Sequence, residues 1–189
     1  MAKIEVAPSA LIPVRPIFLV GANVKGKADF VNIGSGGMLS YEPPTVAIPF
    51  RHVRYSLTGV LENRTFSVNI PSIDQVRETD YCGIVSGKDA DKVKDCNFKI
   101  FYGKLKTAPM IEECPVNFEC SVLHVMGTKS HFVVIGQVEA TYISGEYAKD
   151  GKLDADKFSP LLWYPDLGEY VGVSKALGKT HGVGNELKK

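Results

Sequence analysis

The two longest strand signals in the chain lie next to each other, over residues 117–126 and 131–143, joined by the turn Gly127-Thr128-Lys129-Ser130. A link this short permits only an antiparallel hairpin, because parallel neighbours need a crossover of a dozen or more residues. A second pair, 16–23 and 28–33, flanks Lys25-Gly26-Lys27 and predicts another hairpin. Further strands are expected over 45–50, over 65–70 and over 98–102. Pro49 marks its strand as an edge or a bulge, since it has no N–H to give a ladder. Helical signals are short. Residues 55–63 carry Leu57, Val60 and Leu61 at helical spacing, and 73–85 follow Ser72, a natural N-cap. Short helical turns are expected after the break at Ser86-Gly87 and over 155–158. Strands and helices do not alternate as βα units, so a parallel Rossmann-type sheet is not expected and a closed or partly open antiparallel barrel fits better.

The glycine-rich stretch 34–40 fits no regular element. With Asn32 before it, the segment holds three glycines, two serines and an asparagine directly after a strand. Glycine lets backbone N–H groups come close to a ligand. Asn32, Gly34, Ser35, Gly36, Gly37 and Met38 can therefore meet the edge of a planar polar ring, or form a tight turn with no ligand. It is neither GxGxxG nor a P-loop. The segment Arg51-His52-Val53-Arg54-Tyr55-Ser56-Leu57-Thr58 sets two arginines before a helix start. Forked guanidinium donors, hydroxyls and free helical N–H groups suit a phosphate. The same residues also read as a capped helix with solvated arginines. Ser86-Gly87-Lys88 offers a hydroxyl and a lysine to an anion, but turn chemistry favours a helix C-terminus closed by Gly87. Trp163 and Tyr164 can stack on an aromatic ligand, although core or subunit interface fits them better. No Ser/His/Asp or Cys/His partnership and no paired glutamates can be read, so no catalytic residue is assigned.

Length and charge narrow the class. The 189 residues suit one domain, 1–189, with 1–10 and 176–189 as extended tails. Lys plus Arg is 22 and Asp plus Glu is 21, a net charge of +1, which argues against a general nucleic-acid binder. No stretch reaches the ~20 apolar residues of a membrane span. The first residues lack a signal-peptide pattern, so a soluble, cytoplasmic protein is expected. Cys82, Cys96, Cys114 and Cys120 contain no CxxC pair and are expected as reduced thiols. Cys114 and Cys120 with His124 match no closed metal site, and no metal is expected.

Taken in order, several motifs resemble the flavin reductase-like, FMN-binding split-barrel family, within it the flavoredoxin branch, over roughly residues 8–175. They are Arg15-Pro16-Ile17-Phe18-Leu19-Val20, Asn32-Ile33-Gly34-Ser35, Glu42-Pro43-Pro44, Arg54-Tyr55-Ser56 and Phe66-Ser67-Val68-Asn69-Ile70-Pro71. Tyr81-Cys82-Gly83, Ser86-Gly87, Asp91-Lys92 and the run from Pro109 to Cys120 follow. The chain departs from the usual pattern in its small Gly34-Ser35-Gly36-Gly37-Met38 loop and in Pro49.

The resemblance implies a mainly β fold: a six-stranded antiparallel Greek-key split barrel with a few short helices, dimerising, with FMN near the dimer interface. The ring would meet the segment at 32–38 and the phosphate the segment at 51–56, with Tyr170-Val171-Gly172 reaching the cofactor. The cofactor contacts so implied are Asn32, Gly34, Ser35, Gly36, Gly37, Met38, Phe50, Arg51, Arg54, Tyr55, Ser56, Ser86, Lys88 and His131. Two functions from different classes then stand. One is an oxidoreductase that takes electrons from NAD(P)H through FMN to an acceptor. The other is a flavoredoxin-type carrier with tightly held FMN and a protein redox partner. A split barrel with no flavin is a third.

Overall fold

The computed structural model describes residues 3–154, 156–173 and 180. Residues 3–14 form no regular element, and the chain enters its first strand, β1, at Arg15–Pro16. The first predicted hairpin follows, β2 (Phe18–Val24) and β3 (Lys27–Ile33). They turn at Lys25 and Gly26, both with positive φ (52° and 79°). Next come β4 (Gly37–Tyr41), β5 (Pro44–Arg51), helix α1 (Ser56–Asn63) and β6 (Thr65–Ile70). Helix α2 (Val76–Ile84) and the short α3 (Lys92–Asp95) lead to the two-residue strands β7 (Ile100–Phe101) and β8 (Met110–Ile111). The second hairpin is β9 (Val116–Gly127) and β10 (His131–Ile143). After it come β11 (Ala148–Lys149), β12 (Lys152–Leu153), β13 (Leu162–Tyr164) and β14 (Glu169–Val171).

The main sheet runs β3-β2-β6-β9-β10-β5-β4, and every neighbouring pair in it is antiparallel. It curls so that β3 and β5 approach each other without sharing a ladder, which leaves the barrel split. Side-chain alternation sorts two cores. Phe18, Val20, Val31, Ile33, Ile48, Phe50, Phe66 and Val134 point inward, and Leu57 and Val60 of α1 plug one end. Leu19 and Phe30 point outward and are covered by Cys82 of α2 with Phe98, Ile111 and Cys114. With both faces buried, β2 reads as an almost continuous apolar run. Gly21 sits where a Cβ would lie 2.6 Å from the Pro109 carbonyl oxygen, so the covering loop can approach the sheet only over glycine.

Buried polar groups pin that cover. Glu119 is fully buried and accepts from the Lys104 and Leu105 N–H groups (3.0 and 2.7 Å) and the Tyr142 hydroxyl (2.8 Å). Asn69 donates to the Leu19 carbonyl (2.7 Å) and accepts from the Ile111 N–H (3.0 Å).

Several expectations are corrected. The glycine-rich stretch is not wholly irregular, because Gly37–Tyr41 pairs with β5 and adds a seventh strand to the expected six. An unpaired ladder edge is a strong template, and pairing there outweighs the poor strand propensity of glycine. Pro49 lies on β5 beyond the reach of β4, whose pairing stops at Ala47, so its missing N–H leaves no gap. The 98–102 strand shortens to Ile100–Phe101. The helix expected over 73–85 opens with a 3-10 turn, Ile73–Gln75, under a capping box between Ser72 and Gln75. Within 155–158 the described residues make a turn, with the Lys157 N–H donating to the Asp154 carbonyl (3.1 Å). Residues 1–2, Ala155, 174–179 and 181–189, most of the predicted tails among them, lie outside the described residues.

Candidate functional site

The split in the barrel opens onto a cleft of about 710 Å³, within the range of roughly 300–1,000 Å³ for small-molecule sites. The end of β3 supplies Asn32, Gly34 and Ser35, the end of β5 supplies Arg51, and Arg54 follows it. His131 starts β10 opposite Arg51 in register. Asp80, Gly83 and Ile84 of α2 form one side, and Arg15, Trp163 and Tyr170 form another.

The arginines set the electrostatics. A tight turn holds them together, with the Arg54 N–H donating to the Arg51 carbonyl (3.0 Å). Arg54 donates from Nη1 to the Gly83 carbonyl (2.7 Å), which ties the turn to α2. Burial, and then the neighbouring Arg51 charge, lower the Arg54 pKa from its ordinary value. Among the described residues the only ion pair is Lys92 with Asp29, so neither arginine has a carboxylate partner there. Two guanidinium groups at one cleft, one half-buried and neither neutralised, suit a doubly charged phosphate.

The opposite wall is aromatic. Gly34 packs under Trp163, where a Cβ would lie 2.6 Å from Cε3, so only glycine allows this approach. The Arg15 guanidinium carbon lies 5.7 Å from the Trp163 ring centroid and steadies the indole. Asn32 donates from Nδ2 to the Tyr170 hydroxyl (3.0 Å), which donates to Asp80 Oδ1 (2.9 Å). Burial first, then the bond to Asp80, push the Tyr170 pKa up to about 12, so this phenol stays protonated at neutral pH. His131 Nδ1 and Ser130 Oγ lie 2.7 Å apart.

Six of the predicted contacts thus meet at the cleft: Asn32, Gly34, Ser35, Arg51, Arg54 and His131. The other eight lie elsewhere. Phe50 is fully buried inside the barrel. Ser56 is buried and donates to Asp29 Oδ2 (2.5 Å). Gly36 abuts Ile48, Gly37 faces open space, and Met38 is exposed on β4. Tyr55 and Lys88 line a separate hollow of about 460 Å³ beside Asp29. Ser86 Oγ accepts from the Lys88 N–H (3.2 Å) and closes a turn. Asp80 reaches the cleft with no local signal in the sequence, while Arg15 and Gly83 belong to motifs that carry the resemblance but were not assigned to the site; Arg15 arrives through the pairing of β1 with β13.

Comparison with known proteins agrees with this architecture. The chain is 37% identical to flavoredoxin from Methanosarcina acetivorans, covering 100% of both chains with a TM-score of 0.95. It is 27% identical to flavoredoxin of Desulfovibrio vulgaris (Miyazaki F), covering 97% of this chain and 100% of the other, with a TM-score of 0.90. It is also 29% identical over 117 residues to an uncharacterized protein of Archaeoglobus fulgidus, which is 61% of this chain and 65% of that relative's length. The family model described as "Flavin reductase like domain" matches residues 14–173. That span contains every strand of the split barrel and every residue named at the cleft, and the chain belongs to the flavin reductase like domain family.

Proposed function

We propose that this chain is an FMN-binding flavoprotein that moves electrons from NAD(P)H through FMN to an acceptor, with 1–189 as one domain. The observation that carries the reading is the unneutralised Arg51–Arg54 pair facing a glycine-floored, Trp-walled cleft. The residues present fit the cofactor. Arg51 and Arg54 would hold the phosphate, backbone groups at 32–35 the polar edge of the ring, and Trp163 one wall. FMN supplies hydride and one-electron chemistry when bound. The chain's own part is to orient and to tune. N–H groups of the 32–35 loop, aimed at the ring edge, favour the form that carries negative charge. Tyr170 keeps its proton and directs it to Asp80, which fixes the ring in the cleft wall. That flavin chemistry requires no protein acid, and the His131 ring pairs with Ser130 Oγ.

A second reading is a flavoredoxin-type carrier with tightly bound FMN and a protein redox partner. The likeness to two flavoredoxins, at 37% and 27% identity, favours it. A homodimer suits either role, because β4 exposes Met38, Leu39 and Tyr41 at the sheet edge. Four free cysteines are in keeping with the reducing cytoplasm.

An anaerobic titration of the purified, FMN-loaded protein with NADH and then NADPH tests the reading. Prompt bleaching of the flavin band is expected. A flavin that binds but does not bleach gives the carrier reading its place, and failure to load FMN sinks both.

A further inference from the structure

The proposed flavin chemistry uses no thiol, yet two of the four cysteines meet. Cys82 lies on the face of α2 turned away from the cleft and is fully buried. Cys96 closes the C-terminus of α3 and is partly exposed. Both belong to the outer core with Leu19, Phe30 and Phe98. Their neighbours are joined as well, because the Tyr81 hydroxyl donates to Asp95 Oδ2 at 2.7 Å, one residue before each cysteine. Packed in the same outer core, the two thiols perturb each other: their interaction first, against the opposing effect of burial, draws Cys96 below the ordinary thiol value, and it raises Cys82. Of the charges nearby, Glu78 and Asp95 oppose that lowering and Lys92, in the same short helix, assists it least. Cys114 and Cys120 contrast with Cys96: both are fully buried, and burial pushes Cys114 up to about 12.

We propose that Cys82 and Cys96 form a redox-active dithiol oxidised by hydroperoxides, with Cys96 as the attacking thiol and Cys82 as the resolving one. The Cys96 thiolate attacks one peroxide oxygen and the O–O bond breaks. Cys96 becomes a sulfenic acid, and the peroxide is reduced to an alcohol, or to water, once the leaving oxygen takes a proton. The Cys82 sulfur then attacks the Cys96 sulfur. The S–S bond forms, the S–O bond breaks, and hydroxide leaves as water with the Cys82 proton. Two thiols and one hydroperoxide give one disulfide, one alcohol and one water. The partly exposed thiol meets the oxidant, and the buried one waits behind it, out of reach of over-oxidation. The bond would tether α2, whose other face carries Asp80, Gly83 and Ile84 into the cleft, to α3.

The full-length reduced protein is treated with one equivalent of hydrogen peroxide, thiols are counted after denaturation, and a digest is mapped by mass spectrometry. The expected result is loss of two of the four thiols, a peptide linking Cys82 to Cys96, and full recovery with dithiothreitol. In Cys82→Ser the sulfenic acid persists and dimedone labels Cys96. Cys96→Ser stops the thiol loss. The inference is overturned if all four thiols survive, if the linked peptide joins another pair, or if Cys96→Ser oxidises like the parent. Should Cys82→Ser fail to fold by circular dichroism, the parent digest alone decides between the linked peptide and none. None of these readouts depends on flavin, so they stand or fall apart from the proposed function.

Discussion

Two cationic sites in this molecule are handled in opposite ways. Lys92 is 4% exposed, with its ammonium 3.1 Å from Asp29 Oδ1 and donating to the Phe30 carbonyl at 2.5 Å. Ser56 donates to the other oxygen of Asp29. Every charge there is answered by the chain itself, and the cluster joins α3, β3 and α1. Arg54, only two residues before Ser56, has no such answer, nor has Arg51. A charge neutralised from within is a joint, and a charge left open in a cleft is a receptor. Proximity in sequence does not tell the two apart: Ser56 belongs to the joint although it adjoins the receptor.

The largest test of this contrast is Lys92→Met. It leaves the Asp29 carboxylate buried without its partner and should destabilise the fold by about 3–5 kcal/mol in urea unfolding. Adding Asp29→Leu should restore much of the loss, since the unanswered charge then disappears. Arg54→Ala should do the reverse. FMN affinity, read by fluorescence titration, should fall by about 1.5–3 kcal/mol, while the urea midpoint stays near that of the parent. If Arg54→Ala unfolds the protein as Lys92→Met does, the division into joint and receptor fails. Gly34→Ala sharpens the contrast from the opposite wall. Its methyl group would displace Trp163, at a cost of about 1–3 kcal/mol from overpacking. Because the chain has one tryptophan, its emission maximum should shift in this variant and reports on the cleft alone.

The smallest effect is a pH dependence. The folded pKa of Tyr170, about 12, lies above the ordinary 10.0. Between those values the unfolded chain has lost a proton that the folded chain keeps, so stability is fully present below pH 10 and declines as pH rises towards 12. Tyr170→Phe should flatten that decline in urea midpoints taken at pH 9.5, 10.5 and 11.5. An unchanged slope would show that the Asn32–Tyr170–Asp80 chain carries no such linkage.

Local signals carried most of the fold. Both hairpins, α1, the Ser72 cap and the absence of βα units follow from short-range turn chemistry and periodicity, and the structure keeps them. The site was legible where a donor type and an element boundary coincide, as at Arg51, Arg54 and Asn32–Ser35. It was illegible where tertiary packing reassigns a residue. Phe50 precedes Arg51 but, on a strand, points to the opposite face and enters the barrel core. Lys88 follows a suggestive Ser-Gly pair but faces another hollow. Trp163 has core-like neighbours in sequence, and only the pairing of β13 with β1 turns it towards the cleft. Strand β4 was missed because glycine content suppressed a signal that the waiting edge of β5 supplied.

That pairing also orders events during synthesis. Asn32 and Tyr170, joined by one hydrogen bond, are 138 positions apart, and Trp163 closes against Arg15 from the far end of the chain. Chains emerge from the ribosome N-terminus first. A nascent chain stopped short of residue 160 therefore presents both arginines and the glycine loop, but no aromatic wall. The cleft is finished only when Trp163 and Tyr170 have emerged, and a cofactor can be captured in full only by a chain that extends past them.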